Sequence, residues 1–233
     1  MRASYTLFAG PNGAGKSTAY DRFCAAGYES GEYLNPDDVA RSLGGGAAIE
    51  LRAGRIVVER VRRLISTGQS VVRETTLSGR EIQRSVEVAK RAGFRLVVVF
   101  VAMSELRTMH WRVGIRVATG GHDIPQHVLE RRFHRSLVNV AQLARVADMA
   151  YFLDNAGSLH RLVATANRGE ITFLEAHDAD WVKLATSGLP AASILKSREE
   201  ALAELREQEG LASDLQVREH SSAYLAAGLD STR

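Results

Sequence analysis

A three-layer α/β fold with a mostly parallel sheet is the architecture this sequence predicts, and three observations predict it. Short apolar runs alternate with amphipathic helical stretches between residues 5 and 103, the pattern of parallel strands covered by helices on both faces. The first run, "YTLFA" (5–9), leads directly into "GPNGAGKST" (10–18), which satisfies G-x-x-x-x-G-K-[ST] in full. From Lys16 onward the chain reads as a helix. The glycine-rich loop therefore has the strand–loop–helix setting that a phosphate-binding P-loop requires.

The remaining elements follow in order. "GEYLNPDD" (31–38) holds a short strand that stops at Pro36. Residues 49–67 read as an amphipathic helix, with Ala53, Val57, Val61 and Leu64 at helical spacing and Gly68 as its terminator. "SVVRET" (70–75) is a strand, 79–93 a helix and "FRLVVVFVAM" (94–103) a strand. Residues 104–147 read as a helical insert interrupted by "TGGHDIP" (119–125). Asp123, with Gln126 three residues later, forms a capping arrangement for the next helix, whose apolar stripe is Leu129, Phe133, Leu137, Val140, Ala144 and Ala147. "MAYFLDN" (149–155) returns to strand, 159–169 reads as an edge strand, 178–186 as a short helix and 197–210 as a charged helix.

Composition bounds the class of protein. At 233 residues, 45% hydrophobic and 24% charged, the chain suits one domain of moderate size with an appendage. A net charge of +3 is too small to argue for nucleic acid. The single cysteine, Cys24, cannot form an internal disulfide and is expected to pack on the first helix. With the P-loop beginning ten residues in, no signal peptide is expected, and no apolar run reaches the length of a membrane span. A cytoplasmic location is the expectation.

Candidate site residues gather at the strand ends, where open α/β sheets bind ligands. In the loop, Gly10, Pro11, Asn12, Gly13, Ala14, Gly15, Lys16, Ser17 and Thr18 form the nucleotide cradle. Lys16 is expected on the β- and γ-phosphates, with the Ser17 hydroxyl as the metal ligand for Mg²⁺. After the second strand, Asp37 and Asp38 stand beside the γ-phosphate position. One can accept a proton from an acceptor hydroxyl or hold the metal shell, while the other caps a helix. Asp37 is the choice for chemistry. After the third strand, Glu74, Thr75, Thr76 and Ser78 offer four hydrogen-bonding side chains in five residues, suited to a polyhydroxylated acceptor. Ser78 alone would satisfy the turn into the next helix.

The insert is basic. Residues 103–135 hold six arginines and four histidines against three acids. Arg112 and Arg116 share a helix face, and Arg131 and Arg132 lie on the following helix. Guanidinium groups on a closing flap would hold the transferring phosphoryl and exclude water, with Arg116 and Arg132 the favoured pair. His122 is read as shaping the loop between them, on the acceptor side, ahead of any catalytic role. Asp154 and Asn155 contact the nucleotide base or form a plain turn.

Two other P-loop classes are excluded. "LSGRE" (77–81) echoes the signature of ABC ATPases, but the following strand ends in "VAMSE" without an Asp–Glu pair. About 60 residues from the loop is also too short for their intervening region. A GTPase would carry N-K-x-D, and the chain does not.

"LFAGPNGAGKST", "YLNPDDVA", "RETTLSG", "RVATGGHDIPQHVLERRFHRSL" and "YFLDNAG" resemble, in order, the motifs of the zeta-toxin-like P-loop kinases. The closer likeness is to a short bacterial subgroup often labelled predicted ABC-type ATPases. The resemblance spans residues 4–185. It implies a kinase using ATP and Mg²⁺. Zeta toxins phosphorylate the sugar 3′-hydroxyl of UDP-N-acetylglucosamine, and by that likeness Asp37 is the base. Glu74 and Thr76 then fall on the acceptor, and Arg116 and Arg132 on phosphate. The loop departs from the "GQPGSGKT"-like form of zeta toxins, and the flap arginines are spaced so that Arg112 or Arg131 can take either role. An antitoxin protein is the partner the resemblance implies.

The sequence thus reads as a P-loop kinase domain over 1–188 with a lid-like insert at 104–147. A helical extension at 189–233 packs on the domain, pairs with another copy or is partly disordered. The activity expected is γ-phosphoryl transfer from ATP to a small hydroxylated acceptor, with a UDP-amino sugar first. The alternatives are a polynucleotide kinase or nucleic-acid-linked ATPase, and a regulatory ATP-binding module without an acceptor. Nucleic acid is disfavoured because aromatics for base stacking do not interleave with the basic residues.

Overall fold

The computed structural model describes residues 2–29, 31–44, 47–103, 108–109, 111–114, 125–157, 159–175 and 180–212. Within them a seven-stranded sheet runs in the order β2-β3-β1-β4-β5-β6-β7. The strands are β1 (Ser4–Ala9), β2 (Glu32–Leu34), β3 (Val71–Thr75), β4 (Arg95–Ala102), β5 (Met149–Asp154), β6 (Arg161–Asn167) and β7 (Glu170–Leu174). β2, β3, β1, β4 and β5 pair in parallel, whereas β5–β6 and β6–β7 are antiparallel. The helices are α1 (Lys16–Ala25), α2 (Pro36–Ser42), α3 (Ala47–Ser66), α4 (Glu81–Arg91), α5 (Gln126–Ala144), α6 (Asp180–Ala185) and α7 (Arg198–Glu209).

Strand periodicity builds the three layers. On β4, Leu96, Val98 and Phe100 enter one core, while Val97, Val99 and Val101 enter the other. Side chains two apart on a strand share a face, so a run apolar at every position must be covered on both sides. The first core takes Val57, Val61 and Leu64 of α3, Ile82 and Val86 of α4, Leu137 and Val140 of α5, and Trp181 and Val182 of α6. The second takes Ala19 and Phe23 of α1 and Ala201 and Leu205 of α7.

The α7 segment is tied into that second core by polar contacts as well. Buried Glu209 accepts from Arg95 at 2.8 Å and from the Tyr151 hydroxyl at 3.0 Å. Just past α7, Ala212 N–H donates to Ala26 O at 2.7 Å, beyond the end of α1.

Some expectations are corrected here. The segment at 159–169 is not the edge: "GEITFLE" supplies β7, which pairs outside β6. A two-residue turn with Arg168 and Gly169 in the left-handed region joins the two strands. Cys24 does not pack on the core face of α1; it is exposed, because Ala19 and Phe23 fill that stripe. Among the described residues, no helix is long and apolar enough to cross a membrane.

Candidate active site

The parallel strands deliver their carboxyl ends to one edge of the sheet, with Ala9 level with Thr75 and Phe100, and Ala102 level with Asp154. The P-loop leaves β1 at the centre of that edge. Gly10 has φ 146°, and a Cβ on it would stand 2.0 Å from the Val101 carbonyl oxygen. Gly15, at the start of α1, has φ 91°, and a Cβ there would stand 2.2 Å from the Asn155 amide nitrogen. Glycine is required at both places by backbone angle and by space. The curled backbone between them forms the anion-binding concavity that precedes a helix N-terminus.

Lys16 is buried at the base of this loop. Its Nζ donates to the Pro11 carbonyl at 3.0 Å and lies 3.7 Å from Oε1 of Glu74. The other oxygen of Glu74 accepts from the Ser17 hydroxyl at 2.7 Å, the Tyr33 hydroxyl at 2.7 Å and the Asn35 amide at 3.4 Å. Alternation along β3 explains why Glu74 reaches α1. Its neighbour Arg73 goes to the opposite face and pairs with Glu81 on α4 at 2.8 Å. Burial, and then the charge of Glu74, push the Tyr33 phenol well above its ordinary range. Tyr33 therefore stays a neutral donor, held flat against Tyr20 with ring centroids 3.9 Å apart.

The acids after β2 take different places. Asn35, not an aspartate, caps α2: its Oδ1 accepts the Asp37 N–H at 2.9 Å, with Pro36 in the first helical turn. The expectation that one of the two aspartates is the cap is corrected, because the capping oxygen belongs one residue before Pro36. Asp38 pairs with Arg41 one turn along. Asp37 and Asp38 are both exposed in the first turn of α2.

The residues after Glu74 shape their own turn. Thr75 Oγ1 accepts the Leu77 N–H at 3.0 Å, and Thr76 and Ser78 share a 3.0 Å hydroxyl contact. Ser78 does not cap α4; Arg80 holds that position without a side-chain bond.

Arginines approach the loop from two sides. Arg132 on α5 donates to Asn12 Oδ1 at 3.3 Å, while Arg131 beside it is exposed. Arg112 donates to the Asn155 carbonyl at 3.4 Å. Arg116, His122 and Asp123 lie outside the described residues. The cap position of α5 is Pro125, which makes no side-chain cap bond.

The end of β5 and the loop after it hold Asp154 and Asn155, expected at the nucleotide base or in a turn, and His160, which the sequence does not single out. Asn155 turns its amide to the Ala14 carbonyl at 2.8 Å, and Asp154 faces Arg161 at 3.9 Å. His160 sets Nε2 at 3.2 Å from the Gly15 carbonyl and Nδ1 at 3.1 Å from the Arg22 guanidinium. Burial first, then the charges of Arg22 and Arg112, lower its pKa to about 4 against the pull of the Gly15 carbonyl. No spacing marks His160 in the sequence; only the fold brings it 145 residues back to Gly15. Tyr33 was likewise indistinguishable from a strand aromatic.

Among the described residues, no group of three or more His, Cys, Asp or Glu is arranged for a metal. The adjoining Ser17 hydroxyl and Glu74 carboxylate are nevertheless hard oxygen donors. They suit a cation that takes its other ligands from phosphate and water, as Mg²⁺ does.

Comparison with known proteins agrees with this architecture. No curated protein matches the chain. Among solved structures, the AvrRxo1-ORF1:-ORF2 complex with ATP is similar at TM-score 0.58 and 19% identity, covering 88% of this chain and 71% of that one. The native form of that complex covers 81% and 65%. The PezAT chromosomal toxin-antitoxin system of Streptococcus pneumoniae gives TM-score 0.53 at 14% identity, covering 89% and 86%. In the Pnkp1/Rnl/Hen1 RNA repair complex the chain spans only 44% of its counterpart, with TM-score 0.47 and 20% identity over 58% of this chain. The family model described as AAA domain (AAA_33) matches residues 6–138, the stretch that carries the P-loop, Glu74 and Arg132, and the chain belongs to that P-loop family.

Proposed function

We propose that this protein is an Mg²⁺- and ATP-dependent phosphotransferase whose acceptor is a hydroxyl on a small molecule, with a UDP-amino sugar as first candidate and a zeta-toxin-like activity. The observation that carries the reading is the cluster of buried Lys16 and Glu74 with Ser17 at the base of the P-loop, with an exposed acid, Asp37, one strand away.

Lys16 and the loop N–H groups bind and orient the nucleotide phosphates. Ser17 and Glu74 would hold Mg²⁺, which would supply charge neutralisation for the transferring phosphoryl. Arg132 adds positive charge from the insert side, next to Asn12, and Arg116 is proposed to join it from the same insert. Asp37 accepts the proton of the acceptor hydroxyl. Thr75, Thr76 and Asp38 line the proposed acceptor side, with Arg112 and His122 contributing from the insert. A protein partner is part of the proposal, in view of the fold shared with PezAT, a toxin-antitoxin system.

The test is incubation with ATP, Mg²⁺ and a panel of hydroxylated metabolites including UDP-N-acetylglucosamine, followed by mass spectrometry. A product heavier by one phosphoryl group is expected. ATP consumption with water as the only acceptor would overturn the kinase assignment.

A further inference from the structure

We propose that Asn155 and His160 are positioning residues that aim the phosphate-facing N–H groups of Gly15 and Lys16 from behind the P-loop. A trans peptide points its C=O and its N–H in opposite directions. The Asn155 amide holds the Ala14 carbonyl at 2.8 Å, so the Gly15 N–H in the same plane is turned the other way. The Gly15 carbonyl takes the first helical bond of α1 from the Ala19 N–H at 2.9 Å and is braced further by His160 at 3.2 Å, so the Lys16 N–H is turned likewise. Fixing two carbonyls at the rear thus fixes two donors at the front, before any ligand arrives.

Both residues are themselves held. Asn155 gives its backbone N–H to the Ala102 carbonyl at 2.8 Å and receives Arg112 on its own carbonyl at 3.4 Å. That ties the brace to the end of β4 and to the insert. His160 is 3% exposed, and both ring nitrogens are used. Its Nδ1 faces a guanidinium that can only donate, which leaves Nε2 to carry the proton toward Gly15. The charged groups facing the ring are Arg22 from α1 and Arg112 from the insert, and both favour this neutral form. The bare Cα of Gly15 is the space in which the brace sits, since a Cβ would meet Asn155 at 2.2 Å and His160 at 3.4 Å.

This inference rests on the loop being a nucleotide site, and direct titration separates the two. The affinity for Mg·ATP is measured by equilibrium titration for the wild type, His160→Ala, His160→Gln and Asn155→Ala, with melting of each nucleotide-free protein. His160→Ala and Asn155→Ala are each expected to weaken binding about tenfold, the size of one well-placed hydrogen bond. His160→Gln, whose amide can both donate to Gly15 and accept from Arg22, is expected to stay within about threefold of wild type. A wild type that binds no ATP overturns the nucleotide site itself. A wild type that binds, with both alanine variants equal to it, overturns the brace alone. His160→Gln as weak as His160→Ala overturns it too, because the loss would then follow packing. Asn155→Ala carries the test if His160→Ala does not fold.

Discussion

Ser17 donates its hydroxyl to Oε2 of Glu74 at 2.7 Å across 57 residues of sequence. The contact joins the first turn of α1 to the end of β3, and Lys16 stands 3.7 Å from the other carboxylate oxygen. One carboxylate thereby balances the P-loop lysine and occupies the hydroxyl proposed for the metal. Glu74→Gln keeps the shape but removes the charge. Phosphoryl transfer is expected to fall by about 10²-fold or more. ATP affinity without Mg²⁺ should hold or rise, because Lys16 loses its competing partner. Titrations with and without Mg²⁺ check this; a variant whose affinity keeps the full response to Mg²⁺ would remove Glu74 from the metal site.

Asp37 gives a sharper separation of binding from chemistry. It is exposed, and the cap of α2 is the Asn35 side chain rather than its own. Asp37→Asn should therefore change folding stability by no more than about 0.5–1 kcal/mol. It should leave ATP affinity intact while transfer falls below detection. Full transfer in this variant would exclude Asp37 as the base.

How much of this was legible beforehand depends on periodicity. β1, β3 and β4 declared themselves because runs such as "LVVVFV" must be buried on both faces, and the P-loop because its glycines serve backbone angles. β7 did not, since its alternating run, with Ile171 and Phe173 buried, is only five residues long and follows β6 after a two-residue turn. Glu74 was visible as a polar residue at a strand end, but its destination was not. Only the parity of β3 decides that it meets Ser17 while Arg73 meets Glu81. His160 was invisible because its partner is a backbone carbonyl, which no residue type encodes.

Glycine at position 15 offers a test of backbone angle against space. Gly15→Ala meets both a φ of 91° and the Asn155 amide at 2.2 Å. Loss of ATP binding by about 10²-fold or more is expected. Asn155→Ala removes the collision but not the unfavourable angle, and by itself loosens the loop, so Gly15→Ala is compared in wild type and in the Asn155→Ala background, where its cost should be smaller but not zero. No cost in that background would show that angle contributes nothing, and an undiminished cost that space contributes nothing; calorimetric titration reads both.

Glu209 tests the contribution of the segment after Pro190 to the domain. It is buried and accepts from Arg95 and Tyr151. Glu209→Ala strands the Tyr151 phenol at the second core and leaves the Arg95 guanidinium its 3.3 Å bond to Gln208, at a cost of about 1–3 kcal/mol. Urea unfolding should show a lower midpoint with an unchanged slope. An unchanged midpoint would mean that α7 is held by its other contacts, the packing of Ala201 and Leu205 and the Arg198–Glu175 pair among them.

His160 makes the stability of the protein depend on pH in a defined window. Its folded pKa is lowered to about 4, first by burial and then by Arg22 and Arg112, whereas an unfolded histidine titrates near 6.5. Between those values the unfolded chain binds a proton that the folded chain does not, so the free energy of unfolding rises with pH there. The contribution is complete above about pH 6.5 and is lost as pH falls toward about 4, an order-of-magnitude effect of about 3 kcal/mol. His160→Gln has no proton to take up. Its stability should change less steeply than wild type between pH 6.5 and 4, and match it in slope above pH 7. Urea unfolding at a series of pH values makes the comparison, and parallel curves across the acid window would mean that the ring is protonated in the folded protein without penalty.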